Sequence, residues 1–392
     1  MVLLLLLFLV AELPAQGTLD EQLTRAQALL ERGQVTEAES QLRQAARLYP
    51  KSYVVHNNLG ALYLQLHRHQ DAVKELRVAA RLNPNASDVQ RNLGTCYFLM
   101  DAFDQALGPL QRAKSLDPND LRTRYQLGYS LLMLNRPDEA QADLEFVNNA
   151  MPNDERTLFA LVKTYQASRN HQKAAEAFNQ LRSAHPDSVF IHILMGESYD
   201  IQDKLDDAIT EYQKAVALAP TMPRLHFDLG FLYAQKQLLQ EAESELNKEL
   251  EINPGFTPAL YYLGDIALRR NDAASAVRFF SKAVEQNRSC LDAYMGLGKA
   301  YVSAGRPRDA VRAFENANRI DSEQPDVHYW LANAYRSLGD TVKRTSELNR
   351  FQELRQKAEA KPASDQTGHG RWVSSNCMPS GPSRAKPGSA NP

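Results

Sequence analysis

The stretch Tyr53–Ala86, YVVHNNLGALYLQLHRHQDAVKELRVAARLNPNA, decides the fold, because most of the chain copies it. It reads as two short helices and a turn. In the first, His56, Leu59, Tyr63 and Leu66 fall at i, i+3, i+7 and i+10, one apolar face of an α-helix. In the second, Val73, Leu76, Ala79 and Ala80 form the matching face. Gly60 and Ala72 are small where the two helices cross, since a larger substituent would drive them apart. Pro84 lacks an N–H and disfavours helix in the residue before it, so the second helix must stop near Leu82. Asn83 and Asn85 suit the turn that follows.

A step of 34 residues from Ala72 lands on Ala106, Ala140, Ala174, Ala208, Ala242, Ala276 and Ala310, and a step back lands on Ala38. Nine alanines in one phase identify a repeat array. The register runs without a slip through 19–52, 53–86, 87–120, 121–154, 155–188, 189–222, 223–256, 257–290 and 291–324. A closing proline recurs as Pro50, Pro84, Pro118, Pro152, Pro186, Pro220 and Pro254, and gives way to Arg288 and Ser322 in the last two repeats. Gly60, Gly94, Gly128, Gly196, Gly230, Gly264 and Gly298 hold the crossing, and a tyrosine follows three residues later in most repeats. Val162 interrupts the glycine column, so the fifth helix pair should be slightly splayed. One pair cannot bury enough apolar surface to offset its chain entropy. Neighbouring pairs must cover each other, which makes the array a solenoid. A partial tenth repeat, 325–358, keeps Trp330, Leu331, Ala332 and Tyr335 but puts Arg344 in the alanine place. It reads as a capping pair, with Leu348, Phe351 and Leu354 as its one apolar stripe.

Leu-Gly-x-x-Tyr in the first helix, Ala in the second and Pro at the close resemble the tetratricopeptide repeat family, over residues 19 to about 358. The resemblance implies an all-α fold, a right-handed superhelix of antiparallel helix pairs with the first helices lining a concave inner face. It also implies a protein- or peptide-binding scaffold. Repeat one matches least well, with Arg25, Ala26 and Leu29 in the Leu, Gly and Tyr places, as suits a terminal cap.

The flanks differ from the array. Leu3–Val10 is an unbroken apolar run of eight residues, too short to span a bilayer. Residues 1–17 read as a signal peptide cleaved near Ala15, although no Lys or Arg precedes the run. The expected location is therefore periplasmic or extracellular if that signal works, and cytoplasmic otherwise. Residues 359–392 are rich in Pro, Ser and Gly and read as a disordered tail. Trp372 and Cys377 are the two residues there that a docking motif would supply; the tail otherwise reads as a neutral linker.

With 45 basic and 47 acidic residues, a net charge of −2 and a pI near 6.5, the chain has no bulk attraction to nucleic acid. Cys96, Cys290 and Cys377 are too few and too scattered for a disulfide framework or a zinc site, so Cys96 and Cys290 read as packing or surface residues. The sequence has no GxGxxG, P-loop, GxSxG or HExxH pattern. Neither an enzyme activity, a metal nor a cofactor is expected.

By the family's geometry, the second, fifth, sixth, ninth, twelfth and thirteenth positions of each first helix face the groove. The sixth carries Asn58, Asn92 and Gln126 in repeats two to four, resembling the asparagine ladder of O-linked N-acetylglucosamine transferase, and such amides can bond a peptide backbone. Asn58, Asn92 and Arg122 also occupy places of the family's carboxylate clamp, but Val54 and Gln126 stand where that clamp has basic residues. Arg122, Gln126, Arg156 and Lys163 together suggest an anion-binding patch, while Arg224 should pair with Asp228. Tyr125, Tyr129, Phe159, Phe227 and Tyr261 belong to an aromatic stripe, part of which should accept partner side chains. The reading is a non-catalytic scaffold gripping a peptide, mostly with repeats two to six. Two alternatives are a recruitment subunit for an enzyme on another chain and a periplasmic holder of unfolded segments.

Overall fold

The computed structural model describes residues 18–359 and Cys377. The expected signal peptide and the tail beyond Glu359, Cys377 excepted, lie outside the described residues. Twenty α-helices and no strand occur among them. They fall into two compact units, parted between Pro152 and Asn153. The first holds α1 (Leu19–Glu31), α2 (Val35–Leu48), α3 (Tyr53–Gln65), α4 (His69–Leu82), α5 (Ser87–Leu99), α6 (Phe103–Leu116), α7 (Leu121–Met133) and α8 (Pro137–Ala150). The second holds α9 (Glu155–Ala167), α10 (His171–Ala184), α11 (Val189–Ile201), α12 (Leu205–Leu218), α13 (Leu225–Gln235), α14 (Leu239–Ile252), α15 (Thr257–Arg269), α16 (Ala273–Gln286), α17 (Leu291–Ser303), α18 (Pro307–Ile320), α19 (Pro325–Leu338) and α20 (Thr341–Glu359). Each odd-numbered helix packs on the even-numbered helix after it, and within each unit the pairs stack in sequence order. The fold is an all-α solenoid.

α4 ends at Leu82, as Pro84 requires. The turn inside each pair takes one left-handed residue at the fifteenth repeat position, among them Gly33, Asp101, Asn135, Asn271 and Gly305. Gly, Asn and Asp accept that conformation at low cost; His67, Arg169 and Gln237 adopt it under more strain.

The glycine column faces the large residue sixteen positions on. A Cβ at Gly60 would stand 2.5 Å from Leu76 Cγ, and one at Gly298 would stand 2.3 Å from the Phe314 ring. Repeat five shows what happens without the glycine. Val162 is buried, and Phe178, the residue sixteen on, is only half-buried, whereas Leu76, Leu110, Leu144, Tyr212, Leu246, Phe280 and Phe314 are fully buried. Ala174 in the same pair is 7% exposed, while the other eight alanines of its column are at 0%.

Two polar cross-links repeat with the array. Arg43 Nε and Arg77 Nε donate to the hydroxyls of Tyr63 and Tyr97 at 2.9 and 2.7 Å, tying one pair to the next. His56, His192, His226 and His328 each place Nδ1 at 2.6–2.7 Å from a glutamate nineteen residues on. Arg124 and Asp143 fill the same two places at 2.6 Å.

α13 starts late. Arg224 is its N-cap in the left-handed region, and its backbone N–H donates to both carboxylate oxygens of Glu249 at 2.9 Å. Glu249 is fully buried, and that burial raises its carboxyl pKa although the N–H groups of Arg224 and Phe227 pull the other way.

The cysteines correct the sequence reading. Cys96 is a buried free thiol, pushed up to about 11 by burial. Cys290, however, forms a disulfide with Cys377, with Cα atoms 4.5 Å apart across 87 positions. Spacing carries no sign of this pairing, because only the fold brings the start of α17 to the later cysteine.

Candidate functional site

α3, α5 and α7 lie side by side in the first unit. Their polar side chains link helix to helix. Asn57 Nδ2 donates to Asp88 Oδ2 at 2.7 Å, Asn92 Nδ2 to Asn57 Oδ1 at 3.0 Å, and Thr95 Oγ1 to Gln126 Oε1 at 2.9 Å. Arg91 Nη1 stands 3.7 Å from Asp120 Oδ2. Sequence reasoning missed Asn57, Asp88 and Thr95. Their signal was polar residues at fifth, second and ninth positions beside the amide column.

Of the three expected amides, Asn58 is half-buried and makes no side-chain hydrogen bond among the described residues. Asn92 spends Nδ2 on Asn57 and keeps Oδ1 uncommitted. Gln126 is buried, with Oε1 taken by Thr95 and Nε2 uncommitted. Asn92 and Gln126 are thus parts of the scaffold as well as of its wall. Beside them, Phe98 packs edge-on against Tyr125 (6.5 Å between centroids) and Tyr129 (5.6 Å), all three rings half-buried. Arg122 is exposed and makes no side-chain bond among the described residues. Leu99, at the far end of α5, is 49% exposed.

The second unit treats the same positions differently. Phe227 is 1% exposed and packs against Phe256 and Tyr262, so it is core and does not open onto a groove. Ile193 and Met295 at fifth positions, Tyr262 at a sixth and Phe231 at a ninth are also buried. Tyr261 lies edge-on between Tyr262 and Phe280, and burial, then Asp292 and Asp265, raise its hydroxyl pKa. Phe159 stacks on Phe190 at 4.7 Å. Lys163 Nζ binds Glu197 Oε2 at 2.6 Å, so its charge is compensated. Arg156 is exposed and unbonded among the described residues. Arg224 offers its backbone to Glu249 at a helix start. Large residues on α11, α13 and α15 bury one another, and there the stripe turns from wall into core, while Phe159 stays half-buried and Tyr329 is 42% exposed.

Among the described residues no group of three or more His, Cys, Asp or Glu could hold a metal ion, and no helix is long and apolar enough to cross a membrane.

A family model described as the second ARM domain of tetratricopeptide repeat protein 21 matches residues 69–305, more than half of the chain, and two further tetratricopeptide repeat models match residues 23–87 and 298–339. The chain belongs to the tetratricopeptide repeat family. No curated protein matched the sequence. Among solved structures, the APC/C hetero-tetramer Cut9–Hcn1 is 17% identical, with a TM-score of 0.54 over 87% of this chain and 75% of that one. MamA is 23% identical, with a TM-score of 0.42 over 45% of this chain and 96% of its own. YrrB, described as a tetratricopeptide repeat protein with an unusual peptide-binding site, is 20% identical, with a TM-score of 0.42 over 47% and 96%. The likeness to Cut9–Hcn1 is one of fold, a scaffold of helical repeats.

Proposed function

We propose that the chain is a non-catalytic scaffold that binds an extended peptide segment of a partner protein along the wall of α3, α5 and α7. One observation carries this reading. Asn92 and Gln126 are braced from helix to helix, yet Asn92 Oδ1 and Gln126 Nε2 remain uncommitted, and Asn58 beside them is unbonded among the described residues. A braced amide is held in place before binding, so less entropy is lost when it bonds a peptide N–H or C=O. The half-buried rings of Phe98, Tyr125 and Tyr129 offer apolar contact beside it, and Arg122 offers an unpaired cation for a carboxylate. The test is affinity capture with the full chain, side by side with Asn58→Ala/Arg122→Glu. A partner bound by the wild type and lost by the variant supports the reading; equal recovery refutes it.

The scaffold works outside the cytosol in this proposal. Leu3–Val10 suits a secretory signal, and a disulfide between buried cysteines belongs to an oxidising compartment. Fractionation that finds the uncleaved chain in the cytosol with Cys290 and Cys377 reduced would contradict export.

A further inference from the structure

We infer that the wall of α15 and α17 in the second unit is a docking surface for the chain's own C-terminal segment, latched there by the Cys290–Cys377 disulfide. Cys290 is the N-cap of α17, where its Sγ accepts from Ala293 N–H at 3.3 Å. Cys377 joins it there and is 1% exposed, within the buried cluster that contains Phe256, Ala259 and Ala293. Its Sγ stands 3.8 Å from Asp292 Oδ2, at the second position of the first helix of its pair. The occupant is thus a named segment of this chain, held by a covalent bond and by apolar burial together. The tail's one cysteine is the feature that the repeat pattern left unexplained.

The latch opens by thiol–disulfide exchange with a dithiol. One thiolate of the reductant attacks a sulfur of the pair and forms a mixed disulfide, releasing the other cysteine as its thiol. The second thiol of the reductant then closes on the first, releasing the remaining cysteine, and the reductant leaves as its own disulfide. Both sulfurs are buried, so exchange waits on local opening. Once open, the wall beside Tyr261 and Asp292 is freed for another peptide. This inference does not depend on peptide binding by the first unit.

The test uses the full chain, oxidised and after dithiothreitol, with Cys377→Ser beside it. Cys377→Ser is chosen because Cys290→Ser would also alter the cap of α17. Peptide mapping without reduction should recover Cys290 linked to Cys377, with Cys96 as the one free thiol, labelled only on unfolding. On reduction, and in Cys377→Ser under either condition, amides of Leu291–Met295 should exchange about tenfold faster, while those of α3 and α5 keep their rates. Free thiols at both positions in the air-oxidised protein would overturn the inference. So would a linked peptide whose reduction leaves exchange at Leu291–Met295 unchanged.

Discussion

The walls of the two units share one 34-residue register and differ in what they do with it. At the sixth position the first unit carries Thr24, Asn58, Asn92 and Gln126, and the second carries Ala160, Leu194, Asp228, Tyr262, Gly296 and Trp330. In the first unit Asn92 and Gln126 hydrogen-bond between helices and keep a free valence each, and Asn58 is unbonded among the described residues. In the second, Ala160, Leu194 and Tyr262 are buried as packing, and Gly296 makes room for the Phe280 ring, which a Cβ would meet at 2.3 Å. A repeat position therefore has no fixed role. Its neighbours one repeat away decide whether it stays open or packs.

The largest effect that could break this comparison lies at the fifth position. Phe227→Ala should cost about 3–5 kcal/mol of stability, as a core ring does. Tyr125→Ala, at the same position of the first unit, should cost about 1–2 kcal/mol because its ring is half-buried. Chemical denaturation of both variants decides it; equal costs would mean that the two walls are alike.

Next comes the glycine column. Gly298→Ala sets a Cβ against the Phe314 ring and should destabilise by about 1–3 kcal/mol. Val162→Ala, where no glycine stood and Phe178 is already displaced, should cost less than that. Thermal melting of the two variants compares them.

A smaller effect follows pH. Burial holds the Glu249 carboxyl above its ordinary pKa, so the folded chain favours the neutral acid. The linked stability is complete below the unfolded value of about 4.3 and is lost as pH rises through the raised folded value. As pH rises from about 4 toward neutrality the wild type should lose stability relative to Glu249→Gln, which keeps an acceptor oxygen but no charge. Urea midpoints across that range measure it, and parallel profiles would show that Glu249 contributes nothing.

Much of the fold was legible because the residues that set it are those a 34-residue step samples. The alanine column, the glycine crossing and Pro84 each act through local sterics, and local sterics are written in local sequence. The candidate site was legible in part. Asn58 and Arg122 are argued from position alone, whereas Phe227 and Lys163 depend on partners about one repeat away, Tyr262 and Glu197, and Tyr261 on the Phe280 ring of the helix it packs against. Cys290 was misread as a packing or surface residue for the same reason carried further, since its partner lies 87 residues off. Arg224 failed differently: Pro223 and the buried Glu249 carboxylate shift the start of α13, and the second-position argument assumed a regular start.

The most direct test is calorimetry with a peptide selected from a displayed random library on the full chain. Asn58→Ala should weaken it about three- to tenfold, the loss of one to two hydrogen bonds, with an unchanged melting temperature. Asn58→Ala/Arg122→Glu should weaken it further, and the added loss should shrink as salt rises, because Arg122 is exposed. Affinity that ignores both substitutions yet falls on Arg156→Glu or Phe159→Ala would contradict the assignment of binding to the first unit.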